Sequence, residues 1–214
     1  VPWIVVPHGR QALAGASRNF YQRPDERVRF TGITGTNGKT TTAHLIDSVL
    51  REAGFVTGML GTIEYRLAGE SRKAVNTTPE SLDIMEFADD LADAGGTHLT
   101  MEVSSHALAL ARVWGVAFHT AVFTNLTRDH LDFHETMEGY AAAKRKLFVP
   151  EHAPPPAWSI LNSDDPASQQ MIPSGGRVLW YGLSSPSADI AADGIDHGLN
   201  GLRFDLVFQG RRQS

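Results

Sequence analysis

The stretch GITGTNGKTTT, Gly32 to Thr42, constrains this chain more than any other. Ahead of the loop, VRFTGIT (28–34) is rich in β-branched residues and stops at a glycine, the pattern of a buried strand. Behind it, Ala43, Ile46, Val49, Leu50 and Ala53 recur at helical spacing, and Gly54 stands where a helix C-cap belongs. A strand that ends in glycines and re-emerges as a helix turns backbone N–H groups and the positive helix end toward one point. Such a turn binds phosphate. Lys39 can reach the β- and γ-phosphates, and the Thr40 hydroxyl can bind Mg²⁺. The strict phosphate-loop spacing requires glycine where this chain has Ile33, so the spacing departs from the pattern while the mechanics remain.

The rest of the chain supplies a sheet for that loop. Residues 8–20 place Ala12, Leu13, Ala16 and Phe20 on one face of a short helix, and FVTGML (55–60) is a second strand. TIEYRLAGESRKAV (62–75) reads as a hairpin turning at Gly69. Thr78 and Pro79 open a helix as N-cap and first-turn proline, with Leu82, Met85, Ala88 and Leu91 as its buried stripe. THLTMEV (97–103) and HTAVFT (119–124) are strands around a short helix near 107–112, and Thr136 caps a helix carrying YAAAKRKLF. WSIL (158–161) and RVLWY (177–181) continue the sheet, and beyond Asp189 the glycine-punctuated alternation points to antiparallel strands. This alternation predicts an α/β fold of the phosphate-loop type, a doubly wound and mostly parallel sheet with a small antiparallel portion near the C-terminus.

A nucleotide's Mg²⁺ needs a carboxylate at a neighbouring strand end, where ligands of such sheets gather. Glu102 ends the apolar run LTME, where a charge has no packing purpose; the alternative is a solvated strand-end glutamate. Composition excludes several other classes. A net charge of -5 and a pI near 6.0 leave no basic face for nucleic acid. With no cysteine there are neither disulfides nor thiolate metal sites. No apolar run approaches membrane-spanning length and no signal peptide is present, so a cytoplasmic location is expected. The start at Val1 and the stop at FQGRRQS suggest an excerpt of a longer protein.

Five segments in order, TGTNGKTTT, NTTPES (76–81), MEVSSHAL (101–108), FTNLTRDHLDFH (123–134) and YAAAKRKLF (140–148), resemble the ATP-dependent Mur ligases. The similarity spans about residues 1–210 and is strongest to the members that add the third residue of the peptidoglycan stem peptide. The short loop without a glycine at Ile33 is itself typical of that family. The resemblance implies that residues 1–27 end an N-terminal UDP-binding domain and its linker helix, and that 28–214 are an incomplete central ATP-binding domain. A C-terminal domain that selects the incoming amino acid is absent, and the fragment alone is expected to be inactive. The implied reaction is amide formation on UDP-MurNAc-L-Ala-D-Glu through an acyl phosphate, in a monomer, serving cell-wall growth, shape and division.

The resemblance also implies roles. Gly35, Thr36, Asn37, Gly38, Lys39, Thr40 and Thr41 would bind ATP, with Asn162 reading the adenine. Asn76, Thr77, Thr78, Ser104 and Arg112 would contact the UDP-sugar-peptide. Thr40, Glu102, His130 and Lys144 would hold Mg²⁺, Lys144 as a carbamate, and Lys39, His130 and Lys144 would be catalytic. His106 and His134 are read as packing residues, and on the residues alone Lys144 is equally one cation on a charged helix face. A different amide ligase of the superfamily, such as a folylpolyglutamate synthetase, is the alternative, although those end the loop in GKGS. A nucleotide-binding module without catalysis is the other.

Overall fold

The computed structural model describes residues 3–183, 188–198, 201–208 and 211–213. Eleven strands form one sheet in the order β11-β10-β9-β8-β7-β6-β1-β5-β2-β3-β4. Its centre is parallel: β1 (Arg29–Thr34), β2 (Thr57–Leu60), β5 (His98–Glu102), β6 (Phe118–Phe123), β7 (Trp158–Asn162) and β8 (Arg177–Gly182). Antiparallel pairs flank both ends, although the first strand after β8 still joins it in parallel. β3 (Glu64–Leu67) and β4 (Glu70–Lys73) make the expected hairpin, and β9 (Ile190–Gly198), β10 (Gly201–Phe208) and β11 (Arg211–Gln213) make the C-terminal portion.

Helices cover both faces because parallel strands expose apolar side chains on both. On one face Phe30, Leu99, Met101, Ala121, Phe123 and Leu161 pack under α3 (Ser81–Asp93) and α6 (Met137–Arg145). On the other, Ile33, Met59 and Val122 meet Ala43 and Ile46 of α2 (Lys39–Glu52). The parallel register puts the C-terminal ends of β1, β5 and β6 side by side, Ile33 opposite Glu102 and Thr34 opposite Phe123. The functional loops leave the sheet at that edge. Among the described residues no helix is long and apolar enough to cross a membrane.

Three apolar stripes differ from the sequence reading. In α1 (Gly9–Phe20), Leu13 and Phe20 are exposed, and the buried residues are the small Ala14 and Ser17, which let the helix lie close against α3. In α2, Val49 is exposed and Asp47 takes the buried position. In α3, Leu82 is exposed while Ile84 and Phe87 join Met85, Ala88 and Leu91 inside. That helix begins at Ser81 with Glu80 as its N-cap residue, so Thr78 does not cap it. The helix expected near 107–112 is α4 (Ser105–Ala109), and α5 (Leu131–His134) and 3-10 turns at Pro24–Glu26 and Pro166–Met171 were not foreseen. Thr136 caps α6 as expected, accepting from the Gly139 N–H.

Asp47 shows how a charge enters an apolar face. Its carboxylate is fully buried, accepts from the Thr57 hydroxyl at 2.6 Å and pairs with Arg66 at 2.6 Å. This contact ties α2 to β2 and to the hairpin. Arg51 makes a longer, half-exposed second pairing with Asp47 at 3.8 Å, a weaker partner than Arg66. Removing one partner of a buried pair leaves an uncompensated charge. Arg66→Met is therefore expected to lower stability by about 3 kcal/mol. Adding Asp47→Asn, which keeps an acceptor for Thr57, should recover most of the loss. Urea unfolding midpoints of the two variants check this, and a double variant no more stable than the single one would contradict it.

Candidate nucleotide and metal site

β1 delivers its chain end to residues 35–38, and α2 starts immediately after at Lys39. The turn is closed by contact with the segment that follows β6. The Thr124 hydroxyl donates to the Asn37 carbonyl at 2.7 Å, Asn37 N–H donates to Asn125 Oδ1 at 3.0 Å, and Thr36 N–H donates to the Asn125 carbonyl at 2.8 Å. Gly35 sits at φ +150°, and a Cβ there would stand 1.9 Å from Thr124 Oγ1, so only glycine permits this approach. The N–H groups of Thr36 and Asn37 thus serve the turn. The groups left for an anion are those of the first turn of α2, which lack intrahelical partners and have no side-chain cap at Gly38.

Two lysines converge on this turn. Lys39 Nζ donates to the carbonyls of Gly35 and Thr36, both at 2.9 Å. Lys144, on α6, donates to the same Gly35 oxygen at 2.8 Å. Lys144 is 1% exposed and lies over the Tyr140 ring, 4.3 Å from its centroid, so it is no solvated helix-face cation. Burial, and then the neighbouring charge of Lys39, push its pKa down to about 7. Burial also lowers Lys39, against the opposing pull of Glu102 and Asp129. Tyr140 joins Lys144 to the loop, its hydroxyl lying 3.3 Å from Thr36 Oγ1.

Glu102 is the carboxylate of the site. It too is 1% exposed, which removes the reading of a solvated strand end. Its Oε2 accepts from the Thr40 hydroxyl at 2.9 Å and from the Thr62 hydroxyl at 3.1 Å, and its Oε1 accepts from Thr62 N–H at 2.8 Å. The Thr40–Glu102 pair fits a magnesium ion. Adjacent oxygens of an octahedron with ~2.0–2.1 Å bonds lie about 2.9 Å apart, the separation these two oxygens already have. One carboxylate and one hydroxyl, completed by phosphate and water, is the sparse protein set that Mg²⁺ takes. Among the described residues no cluster of three or more His, Asp or Glu side chains is arranged to hold a metal.

The other candidates fall into separate groups. His130, at φ +51° and half exposed, faces Asp129 at 3.5 Å and packs its ring 4.9 Å from His106 and 6.0 Å from Tyr140. Among the described residues no hydrogen bond or ring contact joins it to Glu102. The Tyr140 ring brings His130 and Lys144 together instead. His134 hydrogen-bonds Ser105 Oγ at 2.9 Å, and burial lowers the pKa of both His106 and His134. Thr78 is buried; its hydroxyl donates to the Glu102 carbonyl at 2.8 Å and accepts from Ser104 N–H at 3.1 Å. Arg112 donates to the Thr78 carbonyl at 2.8 Å and lies 3.0 Å from the Glu80 carboxylate, while the Ser104 hydroxyl caps α4. Asn76 is exposed, its N–H donating to the Tyr65 hydroxyl, and the Thr77 and Thr62 hydroxyls lie 3.1 Å apart. Asn162 donates to the Thr124 carbonyl at 2.8 Å, next to the 35–38 turn. Sequence reasoning missed Gly61, Thr62, Thr124 and Asn125. The signal available for Thr62 was its place just past the end of a strand beside β5.

The arrangement has known counterparts. The sequence profile of the Mur ligase middle domain matches residues 33–213. The UDP-N-acetylmuramoyl-L-alanyl-D-glutamate--2,6-diaminopimelate ligase of Solibacter usitatus is 61% identical over 211 residues, 98% of this chain and 42% of that protein. The ligase of the same name from Bacillus licheniformis is 44% identical over 213 residues, 97% of this chain and 43% of its own. A solved structure of a ligase of that name superposes with a TM-score of 0.85 at 30% identity, covering 98% of this chain and 44% of that one. Folylpolyglutamate synthase of Mycobacterium tuberculosis, at a TM-score of 0.71 and 18% identity, shares the fold alone. The chain spans about 42% of the length of the curated relatives it matches. It belongs to the Mur ligase family, and residues 33–213 are its middle domain.

Proposed function

We propose that this chain is the ATP-binding part of an ADP-forming amide ligase that joins 2,6-diaminopimelate to UDP-MurNAc-L-Ala-D-Glu. One observation carries the reading: Lys39, Thr40 and Glu102 converge at the uncapped start of α2, in a chain 61% identical to a relative named for that reaction. The substrate carboxylate takes the γ-phosphoryl group of ATP, and the amine displaces phosphate from the acyl phosphate. Both reactants of the first step are anions, so the site works by placing positive charge and excluding water. The N–H groups at the start of α2 receive the phosphates, and Lys39 turns from the Gly35 and Thr36 carbonyls to the transferring group. Thr40 and Glu102 would hold Mg²⁺, which supplies charge neutralisation on the phosphate oxygens. Asn76, Thr77, Ser104 and Arg112 line the approach of the UDP-sugar-peptide, with Thr78 shaping their backbone. Asn162 stands on the adenine side. Residues 1–27 serve as the link to a UDP-binding domain, and the amine is selected elsewhere in the full-length protein.

Lys144 is assigned a carbamate. Near neutrality its free amine and ammonium are comparably populated, and the free amine is the form that adds CO₂ with release of a proton. The product is an anion beside Lys39, which exchanges a repulsion for an attraction. The negative face of the Tyr140 ring favours the ammonium, so the carbamate head must leave that face. His130, which packs against the same Tyr140 ring, would act on the acyl phosphate beside the modified group.

Phosphate release by the full-length protein tests the reaction. It should require ATP, UDP-MurNAc-L-Ala-D-Glu and 2,6-diaminopimelate together, and no turnover with all three would sink the reading. Lys144→Ala should lose most of the turnover, keep nucleotide binding, and regain part of its activity with added formate or acetate. Full activity in that variant would return Lys144 to a packing role.

The depressed Lys144 pKa also sets a direction for stability. In carbonate-free buffer, between pH about 7 and the ordinary lysine value of 10.5, the unfolded chain holds a proton that the folded chain has lost. Stability on this account rises with pH across that window, and below it the full penalty of a buried ammonium is present. Lys144→Met should flatten the rise in urea midpoints between pH 7 and 9. An unchanged slope would show that Lys144 stays charged.

A further inference from the structure

No motif flags Gly61 or Thr62, yet these two residues aim the Glu102 carboxylate. β2 ends at Leu60, opposite Met101, so the next two residues cross the end of β5 beside Glu102. Thr62 contacts both oxygens of one carboxylate, through its N–H at 2.8 Å and its hydroxyl at 3.1 Å, and two contacts from one residue fix the carboxylate plane. A Cβ on Gly61 would stand 2.8 Å from Oε1, so the absent side chain is the space the carboxylate occupies. The third donor, Thr40, is itself a metal candidate, which leaves Thr62 as the holder that does not share that duty. The Thr62 hydroxyl carries one proton; giving it to Glu102 leaves lone pairs to accept from Thr77 at 3.1 Å. Thr77, Thr62 and Glu102 thus form one relay from the 76–78 segment to the metal carboxylate.

We propose that Gly61 and Thr62 are positioning residues that hold Glu102 in the orientation a divalent cation requires. This inference rests on the Thr40–Glu102 metal reading above. Outer-sphere groups that orient metal ligands typically cost 10–100-fold in affinity when removed.

The test uses Mn²⁺, a hard cation visible by electron paramagnetic resonance, titrated into the chain with saturating ADP. Thr62→Val keeps the shape and the N–H but removes the hydroxyl; Thr62 is exposed, so the fold tolerates the change. Its Mn²⁺ affinity should fall about tenfold or more, while metal-free ADP binding by calorimetry and the urea midpoint hold, and Thr62→Ser should restore the affinity. Gly61→Ala should weaken Mn²⁺ as well, because the displaced atom is the far end of a flexible glutamate rather than backbone. Equal Mn²⁺ affinity in Thr62→Val and the parent overturns the clamp alone. A fall of metal-free ADP affinity by the same factor also overturns it, showing a merely structural role. A parent that binds ADP but no Mn²⁺ overturns the metal site and the clamp together.

Discussion

The Gly35 carbonyl accepts hydrogen bonds from two lysines, and the site depends on that crowding. Lys39 and Lys144 lie 2.9 and 2.8 Å from one oxygen. Two ammonium groups ~5 Å apart repel by about 3 kcal/mol at an effective dielectric of ~20. The chain tolerates this because the carbonyl dipoles of Gly35 and Thr36 and the Tyr140 ring face absorb part of the charge. What remains is a concentration of positive charge beside a helix N-terminus, and a bound anion relieves it. The carbamate proposed for Lys144 would relieve it differently, by reversing one of the two charges.

The same crowding explains why the backbone around the turn admits so little variation. Gly35 must lack a side chain for Thr124 to reach the loop, and Thr124 must reach the loop for the N–H groups of Thr36 and Asn37 to be satisfied by Asn125. Parallel pairing of β1 with β5 and β6 brings Gly35, Glu102 and Thr124 to one edge of the sheet. Buried on both faces, those strands are rigid, and the charged groups they carry are preorganised rather than gathered by the ligand.

The turn from β1 into α2 was legible in the sequence because its determinants are local: a strand, three glycines, a lysine and a helical pattern within a few residues. The order of strands and helices was legible for the same reason, as was the antiparallel C-terminal portion. Which helix face goes inward was less so. Asp47 is buried because Arg66, on the hairpin 19 residues further on, supplies its counter-charge, and Leu13 and Phe20 of α1 lie outside because Ala14 and Ser17 allow a closer approach to α3. Thr78 had the composition of a helix cap and instead braces the end of β5, a contact set by tertiary structure. Thr62 carries no sequence signal beyond its position at a strand end. The Thr40–Glu102 pairing was readable from chemistry, whereas the grouping of His130 with Tyr140 and His106, away from Glu102, was not.

A crystal structure of this chain with a non-hydrolysable ATP analogue and Mg²⁺ tests the central claim most directly. The account predicts the phosphates on the N–H groups at the start of α2, Lys39 turned from the Gly35 and Thr36 carbonyls onto the terminal phosphate, and the metal between Thr40 Oγ1 and the Glu102 carboxylate. A nucleotide bound elsewhere, with Lys39 still on those two carbonyls and Thr40 still donating to Glu102, would contradict it.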